Sequence, residues 1–184
     1  MKETGDQQLL TASVDAQRAA ADATPPGHCR KAERLSGLAF ALVALNAQTR
    51  DAATLDDAIR TARAAVAVAT PGHAHWLSCL YGLAYGLFRR GEMRQILVDF
   101  DEAATLARNV ADATHEGDDR WAMRQAFKAQ ASCYLPNPWK LRKAVQDMAM
   151  AASRLRRDDP DWALSASNRG ALSSVCRSKI GSAL

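Results

Sequence analysis

The chain has 184 residues, of which 48% are hydrophobic and 24% charged, and its net charge is +4. That length supports one ordinary domain burying about 70% of its unfolded surface, and the balance of apolar and charged residues is that of a globular and not a disordered chain. The positive charge is mild and spread along the chain, with no RNP, zinc-finger or basic-zipper pattern, which argues against nucleic acid as the partner.

The first residues, Met1-Lys2-Glu3-Thr4-Gly5-Asp6, contain no apolar core of a signal peptide. No apolar run approaches the ~18 residues that a membrane span requires. Cys29, Cys79, Cys133 and Cys176 are widely separated and form no Cys-x-x-Cys pair. The expectation is a cytoplasmic protein with reduced thiols. Abundant alanine and a preference for Arg over Lys point to a GC-rich bacterial genome.

In chain order, apolar residues recur at helical spacing between breakers. The pattern predicts eight helices, near 6–23, 29–46, 54–69, 74–89, 93–113, 118–134, 139–157 and 161–178. Thr24-Pro25-Pro26-Gly27-His28 and Thr70-Pro71-Gly72-His73 each combine a helix stop with a helix start. Arg90-Gly91-Glu92 reads as a tight helix–helix turn. Leu135-Pro136-Asn137-Pro138 cannot continue a helix, because its prolines lack donors and restrict their predecessors. Asp118-Asp119 and Asp158-Asp159-Pro160-Asp161 read as N-caps.

Several blocks return after 45 residues. Leu35-x-x-Leu38-Ala39-Phe40-Ala41-Leu42 reappears as Leu80-x-x-Leu83-Ala84-Tyr85-Gly86-Leu87. Gly27, Gly72 and Gly117 form one series, and Asp56-Asp57-Ala58 returns as Asp101-Glu102-Ala103. Fixed-period self-similarity is the signature of stacked structural repeats. Each unit then holds two antiparallel helices, with units near 10–54, 55–99, 100–144 and 145–184 of one domain spanning 1–184.

These residues resemble the tetratricopeptide (TPR) pattern. The Leu-x-x-Leu-Ala-x-x-Leu runs match its first helix, and Ala58-x-x-x-Ala62-x-x-Ala65 with Ala103-x-x-x-Ala107-x-x-Val110 match its second. The period of 45 exceeds the usual ~34, as in the long repeats found upstream of caspase-like CHAT protease domains. The resemblance covers about residues 10–117 and fades where Gln125, Lys128 and Ser132 replace leucines. It implies an all-α, right-handed solenoid of seven to eight helices, without a CHAT catalytic region in this chain.

It also implies a concave surface lined by the first helix of each pair. Carried over by position, that surface contains Phe40, Tyr81, Tyr85, Phe88, Arg89 and Tyr134, which include every tyrosine of the chain. Tyrosine is enriched at binding hot spots. The function expected is a non-enzymatic scaffold that takes a protein, peptide or helix in an aromatic groove, with self-association a second way to cover it. Arg89 would sit at the rim to meet a carboxylate of the partner. The alternatives are a small-molecule or enzymatic helical domain using the groove as a pocket, or the repeat region of a larger CHAT-type protease or signalling protein. The same rings could equally pack as ordinary core.

No catalytic residue, metal or cofactor is assigned. His73-x-His75 lacks a third ligand nearby, and His28-Cys29 is adjacent in sequence only, so no Cys–His pair within hydrogen-bond reach is expected. Arg18, Arg63 and Arg108, again 45 apart, read as a solvated ladder or as inter-repeat ion pairs. Trp76 and Trp121 are equivalent positions at helix starts.

Overall fold

The computed structural model describes residues 5–73 and 75–135, together with Gln146 and Met150. The expected helix near 161–178 lies outside the described residues, as do the Pro136–Pro138 turn and all of the expected helix near 139–157 except Gln146 and Met150, so the count of seven to eight is not reached here. Six helices and no strand occur among the described residues. They are α1 (Gly5–Asp22), α2 (Lys31–Thr49), α3 (Ala52–Val68), α4 (Trp76–Arg94), α5 (Leu97–Asp112) and α6 (Trp121–Cys133). The chain divides into two compact units, Met1–Ile96 and Leu97–Leu184. No helix among the described residues is long and apolar enough to cross a membrane.

The connections into α2, α4 and α6 follow one hydrogen-bond pattern displaced by 45 residues. His28, His73 and Asp118 donate their N–H to the carbonyls of Pro25, Thr70 and His115, and Lys31, Trp76 and Trp121 donate to those of His28, His73 and Asp118. Gly27 and Gly72 have φ of +83° and +84°, a left-handed conformation that a Cβ disfavours. Gly117 lies outside that region, so the third turn reaches the same hydrogen bonds by another backbone path. His28 Nδ1 and Asp118 Oδ1 each accept the N–H two residues on, at 3.1 and 2.7 Å, which tightens the turn, but the N-caps are Arg30 and Arg120, without side-chain cap bonds, so Asp118 is not the N-cap expected of it.

One turn differs from its expectation. Arg90-Gly91-Glu92 does not end a helix; α4 runs through it to Arg94, with Gly91 buried inside it. The stop falls at Gln95, whose φ of 56° equals that of Arg50, the C-cap of α2. Glycine mid-helix costs only ~1 kcal/mol relative to alanine, which burial of the surrounding face offsets. The 45-residue spacing from Arg50 to Gln95 was the signal that the local breaker obscured.

In the first unit α2 packs on α1, α3 and α4, and α3 on α4. Leu38, Ala39, Ala58, Leu83 and Ala84 are all buried, Ala84 completely at 0% exposure. Small residues set the spacing. A Cβ on Gly86 would stand 3.2 Å from the Ile59 side chain, and one on Gly82 3.3 Å from the Phe40 ring. Ala32, Ala65 and Cys79 form a further buried cluster, where the Cys79 thiol points at the Ala32 carbonyl, 3.7 Å away. Burial pushes that thiol above its ordinary pKa, against a smaller opposing effect of Ser36.

In the second unit α5 packs on α6, and Ala103 at 0% and Phe100 at 4% exposure belong to the buried set. Here the leucine pattern fails and polar groups replace it. Gln125 is buried and donates to the Ala111 carbonyl (3.1 Å), Lys128 pairs with Asp112 (3.2 Å), and the Ser132 hydroxyl returns to the Lys128 carbonyl (2.8 Å).

Replacing Ala84 with leucine inserts three carbons where no space remains. The Ala84→Leu variant is expected to lose about 1–3 kcal/mol, with Tm falling about 2–4 °C per kcal/mol. A melting curve followed by circular dichroism checks this, and superposition on the parent curve would remove the close-contact argument.

Candidate functional site

The face of α4 decides which aromatic residues can meet a partner. Nine of its residues are buried, all between Cys79 and Gly91, so that stretch of the helix is enclosed on most sides. The remaining sector follows the i, i+4, i+8 row of Tyr81, Tyr85 and Arg89, all half-buried, which covers about 12 Å along the axis. Phe40, half-buried on α2, joins this row because its ring lies against Gly82. The Phe40 and Tyr81 rings are 6.2 Å apart at 28°, and the Tyr81 and Tyr85 rings 6.3 Å apart at 3°. Three rings thus form a continuous row across two helices, in offset geometry that suits the ring quadrupoles.

Phe88 does not belong to that row. It is 1% exposed and is part of the core. Sequence spacing places it on the same face as Tyr81, but at the edge that leads to the buried Ala84 and Gly91. Burial of that edge is set by tertiary packing, which the spacing of α4 alone does not encode. Arg89 is held within the chain: its Nη1 donates to Glu92 Oε2 at 2.8 Å, with about a quarter of each side chain exposed. Tyr134 is the C-cap of α6 in the second unit, where its ring stacks on Phe100 at 4.6 Å and 24°.

The polar surroundings of the first unit are ordered by ion pairs. Arg90 and Arg94 both reach Asp56, at 3.2 and 2.8 Å, and bind α4 to α3. Arg18 of the expected ladder pairs with Asp57 at 2.8 Å, which Arg60 also contacts. For both aspartates desolvation is the largest single influence and acts upward. The arginine hydrogen bonds and charges together outweigh it and hold each carboxyl below its ordinary pKa. Asp51, the N-cap of α3, is also held low, by hydrogen bonds from Thr54 and then Ala53.

The expectation that no cysteine approaches an imidazole nitrogen fails at one place. Cys29 Sγ lies 3.9 Å from His28 Nδ1. The turn that starts α2 brings the neighbours together, and the same Nδ1 already accepts the Arg30 N–H. Both residues are exposed, and the Nδ1 that faces the thiol is already held by the Arg30 N–H, so the geometry is that of a helix-entry turn and not of an activated nucleophile. His75 Nε2 approaches Glu33 Oε2 at 3.9 Å, which gives His73-x-His75 one carboxylate neighbour. Among the described residues no group of three His, Cys, Asp or Glu side chains could hold a metal ion.

One feature was not singled out from sequence. A cleft of about 190 Å³ is lined by Asn46, Arg50, Arg89, Glu92 and Met93, at the C-terminal ends of α2 and α4. Only Arg89 had been assigned to a site. The signal available was positional: Arg50 stands where a helix C-cap favours glycine. No family model matches the chain, and no curated protein or solved structure matches it either.

The depressed aspartates set an acid dependence. A carboxylate with a lowered folded-state pKa contributes stability that is complete above the unfolded value, near 4, and is lost as pH falls through the folded value. The Asp56→Asn variant is therefore expected to be less stable than the parent at pH 7, by less than about 1 kcal/mol because the pair is partly exposed. The difference should shrink below about pH 4, where the parent loses the same contribution. Urea unfolding at pH 7 and at acid pH checks this, and a constant difference across that range would contradict it.

Proposed function

We propose that the first unit is an interaction module that takes a peptide or an amphipathic helix along the row formed by Phe40, Tyr81 and Tyr85. The supporting observation is that row itself: three half-exposed rings, stacked in sequence on two helices, beside the stretch of α4 from Cys79 to Gly91 that is otherwise mostly buried. Rings of this kind give large contact area at low entropic cost. A contiguous apolar surface of this sort is commonly covered by a partner or a second copy of the chain.

The wider architecture belongs to the same proposal. A long-period, TPR-like solenoid would place successive first helices side by side. The contact of α2 with α4 and the three matching helix entries are what that arrangement requires. Phe88 is omitted from the contact surface because of its burial, and Arg89 would meet a partner only at the rim. The reading of the aromatic surface as an enclosed pocket has less support, since the rings lie in a row and the cleft beside them is polar.

The experiment is selection of peptides from a displayed random library on the full chain. The Phe40→Ala, Tyr85→Ala double variant should keep the helical circular dichroism of the parent. It should bind the selected peptides about 2 kcal/mol more weakly, or roughly thirtyfold. Undiminished binding to a folded double variant would place the contact surface elsewhere.

A further inference from the structure

Arg50 and Gln95 occupy equivalent places 45 residues apart, at the C-caps of α2 and α4, and both have φ of 56°. A glycine is the favoured residue in this left-handed conformation, because a Cβ crowds the following carbonyl. The two residues differ in what their side chains do. Gln95 Nε2 donates to the Glu92 carbonyl at 2.8 Å and closes the end of α4. At position 50 the backbone alone closes the helix, the Arg50 N–H donating to the Asn46 carbonyl. The Arg50 guanidinium has no hydrogen bond or ion pair among the described residues. The end of α2 therefore needs no side chain there, and glycine would serve it better.

That side chain instead lines the cleft of about 190 Å³ with Asn46, Arg89, Glu92 and Met93. The volume is that of about six waters. Arg89 is on the same cleft, half-buried, and Glu92 accepts from one of its five donors. Asn46 is 2% exposed and locked, its amide donating to the Asp51 carbonyl at 2.7 Å. The lining thus holds two arginines, Arg50 exposed and Arg89 half-buried, and one glutamate, a net charge of +1. Planar guanidinium forks match the oxygens of carboxylate and phosphate groups.

We propose that this cleft binds a small oxyanion, a carboxylate or phosphate compound, between Arg50 and Arg89, with Met93 against any apolar part of it. The site is separate from the aromatic row and holds whether or not that row binds a peptide. An arginine in a conformation suited to glycine, with its side chain on the cleft and not on the helix end, is the mark of it.

The test is calorimetric titration of the full chain with sodium phosphate and, separately, sodium succinate, in a cationic buffer. Sodium chloride at matched ionic strength is the control, and melting curves run in parallel. At ten times its Kd the oxyanion is expected to raise Tm by about 3 °C beyond the chloride control. Arg50→Gly should melt at or above the parent in chloride, since it relieves the crowded backbone, and should bind the oxyanion at least about tenfold more weakly. Arg50→Gln, accepted in the same conformation at position 95, provides a second folded variant with the same expected loss. No effect of either oxyanion beyond chloride overturns the proposal, as does a Tm shift that persists in these variants.

Discussion

Close approach through small residues is the constraint on which the first unit depends. Ala39, Ala58, Ala62, Ala65 and Ala84 are all nearly or fully buried, and Gly82 and Gly86 take the side chains of Phe40 and Ile59 directly on their Cα atoms. Helices that meet across alanine and glycine have little room between them for large rings. A large side chain at such an interface must lie across its neighbour or point outward. Phe40 does the first, and in doing so it brings its ring beside Tyr81. Tyr85 extends the row. The aromatic surface is thus a by-product of tight packing as much as a separate device, and its position follows from Gly82.

The helical class was legible because α1 to α6 combine helix formers with breakers at regular intervals. Helix ends were less legible. The Pro-Gly turns marked the starts of α2 and α4 well, since Gly27 and Gly72 are required by their positive φ. The end of α4 was misplaced at Arg90-Gly91-Glu92 because glycine has two meanings: a break in the chain, or a contact where no Cβ fits. Gly91 is of the second kind, being buried within the helix. Deciding between the two requires knowing what packs against the residue, and that is tertiary information.

The same limit explains the site. Spacing alone placed Tyr81, Tyr85 and Phe88 on one face of a helix. It could not say where on that face burial stops, which removes Phe88 and leaves Tyr81 and Tyr85 half-exposed. Side-chain spacing also assigned Arg89 to a rim, where the structure gives it Glu92 as a near neighbour. The polar cleft was hidden for a different reason. Its five residues come from two helix ends that are 45 residues apart in sequence, and no motif links Asn46 and Arg50 to Arg89, Glu92 and Met93.

α6 shows what the leucine pattern can and cannot dictate. Its entry turn keeps the hydrogen-bond pattern of the earlier two, yet Gln125, Lys128 and Ser132 occupy positions that held leucine before. Burying such groups without partners would cost several kcal/mol in total. They are not without partners: the Ala111 carbonyl, Asp112 and the Lys128 carbonyl receive them. Arg124, 4% exposed, donates through Nη1 to the Thr114 hydroxyl at 2.9 Å, although its buried Nε atom has no hydrogen bond among the described residues, and that hydroxyl donates to the Val110 carbonyl. Satisfied polar groups contribute less to stability than leucine but fix direction, because hydrogen bonds tolerate little displacement. The contact of α5 with α6 therefore adds matched donors and acceptors to its buried apolar residues, at positions where α2 and α4 carry leucine. A sequence pattern built on apolar residues fades at that change, although the pairing of helices does not.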